Sequence, residues 1–292
     1  MSHGDTLAAS LLLPQGEGPF PGVVIVHGSG GSPRANPWTQ AYVEALVGRG
    51  VAVLYPDKRG SGDSQGDWQQ ASFELLADDA LAALDRLLEE PELDAERVGL
   101  IGFSQGGDIV PLVATLSSKV KFVVDVSGSV VPLREQIGDE IRQGALAEGR
   151  SEEELKTLQE LNQLGLRYAL LGEGWQEYSH ALEAAKHTSL KESEVLGGFP
   201  ATRDHPIWSF LRAVGDFDPL PYWRRVAVPA LFLYGGKDRN VDTRKSAAIV
   251  ENTLFAPEKS FSLLFFGKNG HGLFRDDAMD FLARWIADKG VD

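Results

Sequence analysis

Short apolar runs alternate with stretches of helical periodicity along most of this 292-residue chain. Strand candidates fall at 7–13, 22–26, 51–55, 97–101, 122–126, 230–234 and 260–266. Helix candidates lie between them, at 38–47, 73–88, 105–116, 246–254 and 276–287. Continuous apolar strands separated by helices predict a mostly parallel central sheet flanked by helices on both faces, an α/β architecture. The last helix carries Ala278, Phe281, Leu282, Trp285 and Ile286 at helical spacing, which gives it one face to lay on the sheet.

The alternation stops between residues 130 and 222. This stretch is more polar and reads as helical, opening one helix with Ser151-Glu152-Glu153-Glu154, a capping box. Leu155, Leu158, Leu161 and Leu164 then recur along one helical face. Residues 1–129 and 223–292 therefore form the core, and 130–222 form a helical cap or lid inserted between two of its strands. The segment is rich in aromatics: Trp175, Tyr178, Phe199, Trp208, Phe210, Phe217 and Tyr222, with Trp223 at its border. Most of them are expected to pack the lid and a minority to line a pocket; sequence leaves open which.

Bulk composition narrows the functions. Hydrophobic residues make up 43% of the chain, enough for one large core plus an inserted lid. No run approaches the roughly 18 apolar residues that a membrane span needs. The stretch Leu7-Ala8-Ala9-Ser10-Leu11-Leu12-Leu13 lacks a basic lead-in and a cleavage site, so a first strand is expected rather than a leader. A net charge of -14 opposes nucleic acid and anionic lipid as partners. The absence of cysteine removes disulfides, thiolate catalysis and cysteine zinc sites, and fits a cytoplasmic protein. A homo-oligomer stays open.

G-x-S-x-G occurs twice, as Gly62-Asp63-Ser64-Gln65-Gly66 and Gly102-Phe103-Ser104-Gln105-Gly106. A nucleophile elbow needs a strand running into the serine and a helix leaving it. Ser104 has both: Arg97-Val98-Gly99-Leu100-Ile101 before it, and a helical pattern from Gly106 onward. Ser64 sits in a polar, glycine-rich stretch that reads as a loop. Ser104 is the nucleophile candidate.

A serine hydroxyl needs a base to take its proton and a carboxylate to orient that base. In this chain order the acid precedes the histidine and both follow the serine. Of the six histidines, His3 lies in the tail, His27 precedes the serine, and His180, His187 and His205 fall in the lid segment. His271, in the loop Lys268-Asn269-Gly270-His271-Gly272 after the last strand, is the candidate base. The candidate acid is Asp238, after the glycine turn that ends strand 230–234; Asp242, near a helix start, is the fallback and has an N-cap role to explain it. For an oxyanion hole, the Gln105 amide follows the nucleophile at a helix start. The second donor is expected from His27-Gly28-Ser29-Gly30-Gly31: Ser29 first, Gly30 next. That loop lacks the spacing of a phosphate cradle.

These residues resemble the α/β-hydrolase superfamily over nearly the whole chain, and more narrowly bacterial serine carboxylesterases with a D-K-R-G loop, the EstD-type esterases. The matching pieces are His27-Gly28-Ser29-Gly30, Asp57-Lys58-Arg59-Gly60, Gly102-Phe103-Ser104-Gln105-Gly106-Gly107, Ile109-Val110-Pro111, Gly236-Lys237-Asp238 and Gly270-His271. The resemblance implies an α/β-hydrolase fold and a triad of Ser104, Asp238 and His271 acting on small carboxylic esters, with no cofactor or metal. It makes Asp57 and Arg59 members of a structural loop, and it fits Pro111 within a helix. Two departures stand out: the N-terminal part of longer relatives is expected to be missing, and Asp242 stands where such families often place proline.

An ester hydrolase working through an acyl-enzyme is the leading expectation. A serine peptidase or amidase of the prolyl-oligopeptidase kind shares the elbow and triad, as does a thioesterase. A non-catalytic hydrolase-fold binder usually loses a triad member, a dehalogenase needs aspartate at the elbow, and no H-E-x-x-H supports a metallohydrolase.

Overall fold

In a computed structural model of the protein, residues 1–288 are described. The strands are β1 (Ala9–Leu12), β2 (Phe20–Val26), β3 (Ala52–Pro56), β4 (Leu93–Phe103), β5 (Phe122–Val126), β6 (Ala230–Gly235) and β7 (Phe261–Phe266). They form one sheet in the order β1-β3-β2-β4-β5-β6-β7, with β1 antiparallel to β3 and every other neighbouring pair parallel. The architecture is that of an α/β-hydrolase.

The helices of the sheet are α1 (Pro37–Val47), α2 (Phe73–Leu87) and α3 (Gly106–Leu116). Helices α4 (Leu133–Ala147), α5 (Glu152–Leu171), α6 (Trp175–Lys186), α7 (Glu194–Gly197), α8 (Ile207–Val214) and α9 (Leu220–Arg225) follow between β5 and β6, and α10 (Thr243–Ile249) and α11 (Asp276–Asp288) come last. Strand alternation sends Val24, Leu100 and Phe232 to one face and Val23, Ile101 and Leu233 to the other. The first face packs on α2 and α3 through Leu84, Ile109 and Val113; the second packs on α1 and α11 through Tyr42, Leu46, Leu282 and Ile286. No described helix is long and apolar enough to cross a membrane.

Element ends differ from expectation where pairing or capping, rather than apolarity, sets them. β4 starts four residues earlier than the apolar run, because Leu93 pairs with Phe20 across a register shift. α10 starts at Thr243, where the Asp242 side chain accepts from Lys245 N at 3.0 Å, and passes into a π-helical turn at Val250–Leu254. The Ser151 capping box opens α5, with Ser151 N donating to Glu154 Oε2 at 2.8 Å.

The helices from α4 to α8 have an apolar centre of their own, built on Leu155, Leu158, Leu161, Tyr178, Leu182 and Trp208. α8 faces both ways. Trp208 enters that centre, whereas Phe210 and Val214 enter the core under the sheet. α4 is tied to α10 by Lys245, whose Nζ pairs with Glu135 at 2.7 Å and Asp139 at 2.5 Å.

Strand order places the chemistry. From β2 the chain first adds β3 on one side, then crosses to add β4 on the other, so the order reverses between β2 and β4. Loops diverge at the carboxyl ends of such a pair and leave a crevice. Val26 of β2 pairs with Gly102 of β4, so the loop from His27 and the turn at Ser104 emerge side by side.

Candidate active site

β4 ends at Phe103 and the chain turns at once toward α3. Ser104 at that turn has φ +50°, a conformation costing a non-glycine residue about 1–3 kcal/mol. The turn is pinned by Ser104 N donating to Val126 O at 2.9 Å and Gly107 N donating to Ser104 O at 2.8 Å. Residue 106 must be glycine, since a β-carbon there would collide with the Val26 carbonyl. The Ser104 hydroxyl is half-buried, bonds to no other described residue, and opens into a cavity.

Ser64 behaves differently. It is buried, its Oγ donates to Asp57 O at 2.8 Å and accepts from Ala8 N at 2.9 Å. Both functions of that hydroxyl are spent on holding the loop. Asp57 and Arg59 lie in the same scaffold: Asp57 accepts from Asp63 N at 2.8 Å, and Arg59 grips Asp79 through Nε and Nη2, each at 2.7 Å, and Asp5 at 2.9 Å.

Asp238 follows β6 and His271 follows β7, the adjacent parallel strand. His271 Nδ1 lies 2.7 Å from Asp238 Oδ2. The other oxygen, Oδ1, accepts from Asn240 N at 2.9 Å and Val241 N at 3.0 Å, so the carboxylate is held in one orientation. Its side chain is 0% exposed. The His271 ring packs edge-on against Trp38 at 5.3 Å, and Trp38 also contacts Phe103, next to Ser104, at 5.9 Å. No hydrogen bond joins the Ser104 hydroxyl to His271 among the described residues; in unliganded sites such bonds are often long and tighten with substrate.

Gly28 passes against the elbow. A β-carbon on it would stand 3.5 Å from Ser104 Cβ and 3.3 Å from Phe103 O. The next residue, Ser29, is exposed and lines the same cavity as Ser104 and Gln105. Neither the Ser29 nor the Gln105 amide donates to another described group. His27 anchors this loop: its buried ring bonds Pro56 O and Ser32 Oγ, and burial lowers its pKa to about 4, so it is neutral.

Lys58 has a larger part than the sequence suggests. Its buried ammonium donates to Gly28 O at 2.8 Å and to Gln105 Oε1 at 2.9 Å, tying the glycine loop to the residue after Ser104. Burial lowers its pKa to about 7. Within the D-K-R-G stretch the lysine is as prominent as its neighbours, but its bond to Gln105 spans 47 positions and leaves no local signal.

The cavity has a volume of about 840 Å³, within the usual range for small-molecule sites. The core contributes Ser29, Ser104, Gln105 and Asp108 to its wall, and the segment between β5 and β6 contributes Glu140, Phe199, Trp208 and Phe210. Those three aromatics are thus the lining ones; Tyr178 and Trp223 are fully buried packing residues. Asp238 and His271 are not part of that wall, though Glu140 feels the charge of both; burial raises its pKa. His180, His187 and His205 are exposed and His3 pairs with Asp78 at 2.6 Å, all outside this assembly.

Residues 3–272 match the family model described as X-Pro dipeptidyl-peptidase (S15 family). Esterase EstD of Thermotoga maritima is 28% identical over 264 residues, covering 89% of this chain and 56% of the relative. The chain therefore spans little more than half the length of that protein. Human mitochondrial acyl-coenzyme A thioesterase 2 is 30% identical over 121 residues, 41% of this chain and 23% of the relative. Among solved structures, Est1E from Butyrivibrio proteoclasticus with ferulic acid bound superposes with a TM-score of 0.62 at 17% identity, covering 99% of this chain and 95% of that one. DcsB in complex with a substrate analogue gives 0.66 at 16% identity, with coverage of 99% and 96%. A strained serine at the strand reversal, a buried Asp–His pair on the neighbouring loops and a match over nearly the full length lead to one assignment: the chain belongs to the S15 (X-Pro dipeptidyl-peptidase) family, on the α/β-hydrolase fold.

Proposed function

We propose that the protein is a serine hydrolase cleaving carboxylic esters, with Ser104, His271 and Asp238 as its triad. The observation that carries this reading is the bond from His271 Nδ1 to Asp238 Oδ2, 2.7 Å long and buried on the carboxylate side. It fixes the tautomer that leaves Nε2 free to accept a proton. The similarity to an esterase along 89% of the chain favours esters over amides.

In this mechanism the Ser104 oxygen attacks the acyl carbon as His271 Nε2 takes its proton. The carbonyl oxygen, now negative, is held by the Ser29 and Gln105 amides. Collapse of the tetrahedral intermediate expels the alcohol, which leaves with the proton from His271. Water then attacks the acyl-enzyme, His271 takes one water proton, and the second collapse releases the carboxylic acid and returns the proton to Ser104. Losing one oxyanion donor typically costs about 10² to 10³ in rate. Residues 130–222 act as a cap whose α8 and α4 complete the acyl-binding cavity, so substrate enters between cap and core.

The test is a panel of p-nitrophenyl esters of increasing acyl length beside aminoacyl-anilides and an acyl-coenzyme A. Ester turnover that Ser104→Ala abolishes is expected. Faster cleavage of X-Pro anilides than of any ester would make the protein a peptidase instead.

A further inference from the structure

Asp108 is a nearly buried acid in the pocket wall with no described protein group bonded to it. It lies four residues beyond Ser104, in the first turn of α3, and only 4% of its surface is exposed. Its carboxyl forms no hydrogen bond and no ion pair with any described residue. The charged groups that act on it are two more carboxyls, Asp125 on β5 and Asp218 before α9, and both repel it. Asp125 is satisfied, accepting from Gly128 N at 2.8 Å and Tyr234 Oη at 3.3 Å. Asp108 is not, and it lines the cavity into which the Ser104 hydroxyl opens.

With no described protein partner, this nearly buried carboxyl adds no hydrogen bond to the fold as it stands. Burial first, then the two neighbouring carboxyls, push its pKa well above the ordinary value and so favour the protonated form, which carries one O–H donor. Such a donor complements an uncharged oxygen. The same wall also carries the carboxyls of Glu140, Glu148 and Glu194 and the cation of Arg239. The turn closed by Gly107 N donating to Ser104 O keeps Asp108, the next residue, beside the elbow. A group that meets Asp108 and a carbonyl attacked by Ser104 therefore lie in the same cavity.

We infer that Asp108 is a specificity-determining residue that hydrogen-bonds a hydroxyl on the acyl chain, close to the scissile carbonyl, and that the preferred substrates are esters of hydroxy acids. The inference rests on the reading of the cavity as the site of ester hydrolysis. Amide and carboxylic acid both donate, so asparagine can stand in for Asp108 and leucine cannot.

The experiment compares p-nitrophenyl 3-hydroxybutanoate with p-nitrophenyl butanoate, each kcat/KM divided by the ester's alkaline hydrolysis rate. Wild type should favour the hydroxy ester about tenfold, the worth of one good hydrogen bond. Asp108→Leu should bring that ratio to about one, and Asp108→Asn should keep most of it. Because the ratio is taken within each variant, partial misfolding cancels. No preference in wild type, or a preference that survives in Asp108→Leu, overturns the inference. So does a stronger preference for the 3-aminobutanoate ester, which would mean an ionised Asp108 meeting a cation. Ser104→Ala titrated calorimetrically with ethyl 3-hydroxybutanoate and ethyl butanoate separates the two readings. Tighter binding of the hydroxy ester without turnover in wild type would sink ester hydrolysis and keep the Asp108 subsite; equal binding would sink the subsite.

Discussion

Lys58 Nζ lies 2.9 Å from Gln105 Oε1, and the same ammonium holds the Gly28 carbonyl at 2.8 Å. One buried cation thus couples the loop carrying the Ser29 amide to the residue whose own amide follows the nucleophile. Lys58→Met removes the coupling without adding bulk. We expect kcat to fall about tenfold or more while KM changes little, because loosened oxyanion donors weaken the transition state rather than the ground state. Steady-state kinetics with one ester decide it; a loss confined to KM would assign Lys58 to substrate binding.

The same lysine sets a stability trend. Its pKa is about 7 when folded and 10.5 when exposed, because burial disfavours the charge. As pH falls from about 10 toward 7, the unfolded chain takes up this proton before the folded one does, and wild type loses stability across that window. Lys58→Met has no such proton to bind. Its Tm relative to wild type should therefore rise on going from pH 10 to pH 7; a constant difference would mean that burial does not lower the lysine's pKa.

Asp238 and Asp242 stand four positions apart and do different things: one meets His271, the other caps α10 by accepting from Lys245 N. Asp238→Asn should lower kcat by about 10² to 10⁴ with Tm little changed, because the imidazole loses its orienting charge. Asp242→Ala should cost about 1 kcal/mol of stability and leave kcat within about twofold. Measuring both on both variants provides the control, and reversed effects would exchange the roles.

A fluorophosphonate probe should label Ser104 alone. Ser104→Ala should abolish the adduct. Ser64→Ala should keep it while losing stability by about 1–3 kcal/mol, since Ala8 N and the Asp57 carbonyl lose a buried partner. Mass spectrometry of the adduct and thermal melts check the two halves separately.

Asp125 gives the opposite pH trend to Lys58. Burial raises its pKa from 3.8 to about 7, against the pull of its bonds from Gly128 and Tyr234. The folded state holds this proton more tightly, so its contribution is complete below about pH 4 and is lost as pH rises through 7. Asp125→Asn stays neutral throughout. Its Tm minus that of wild type should grow between pH 4 and pH 8, and a flat difference would mean Asp125 is already ionised in the fold.

Much of this molecule is written in neighbouring residues. Apolar runs mark the strands because a strand covered on both faces has no polar side. The glycine after Gln105 and the short strand before Ser104 announce the elbow, and Ser151 with Glu154 announces a helix start, since each of these devices acts within a few residues. The polar surroundings of Ser64 mark it as a loop serine for the same reason. Other features have no local trace. Phe199, Trp208 and Phe210 read like the other aromatics of their segment, and only packing turns them toward the cavity. The orphan carboxyl of Asp108, the Lys58 bridge to Gln105 and the meeting of Asp238 with His271 join elements far apart in the chain. Such meetings depend on strand order and on which side chains the packed core removes from water. These are properties of the whole chain's free energy, which no short window of residues encodes.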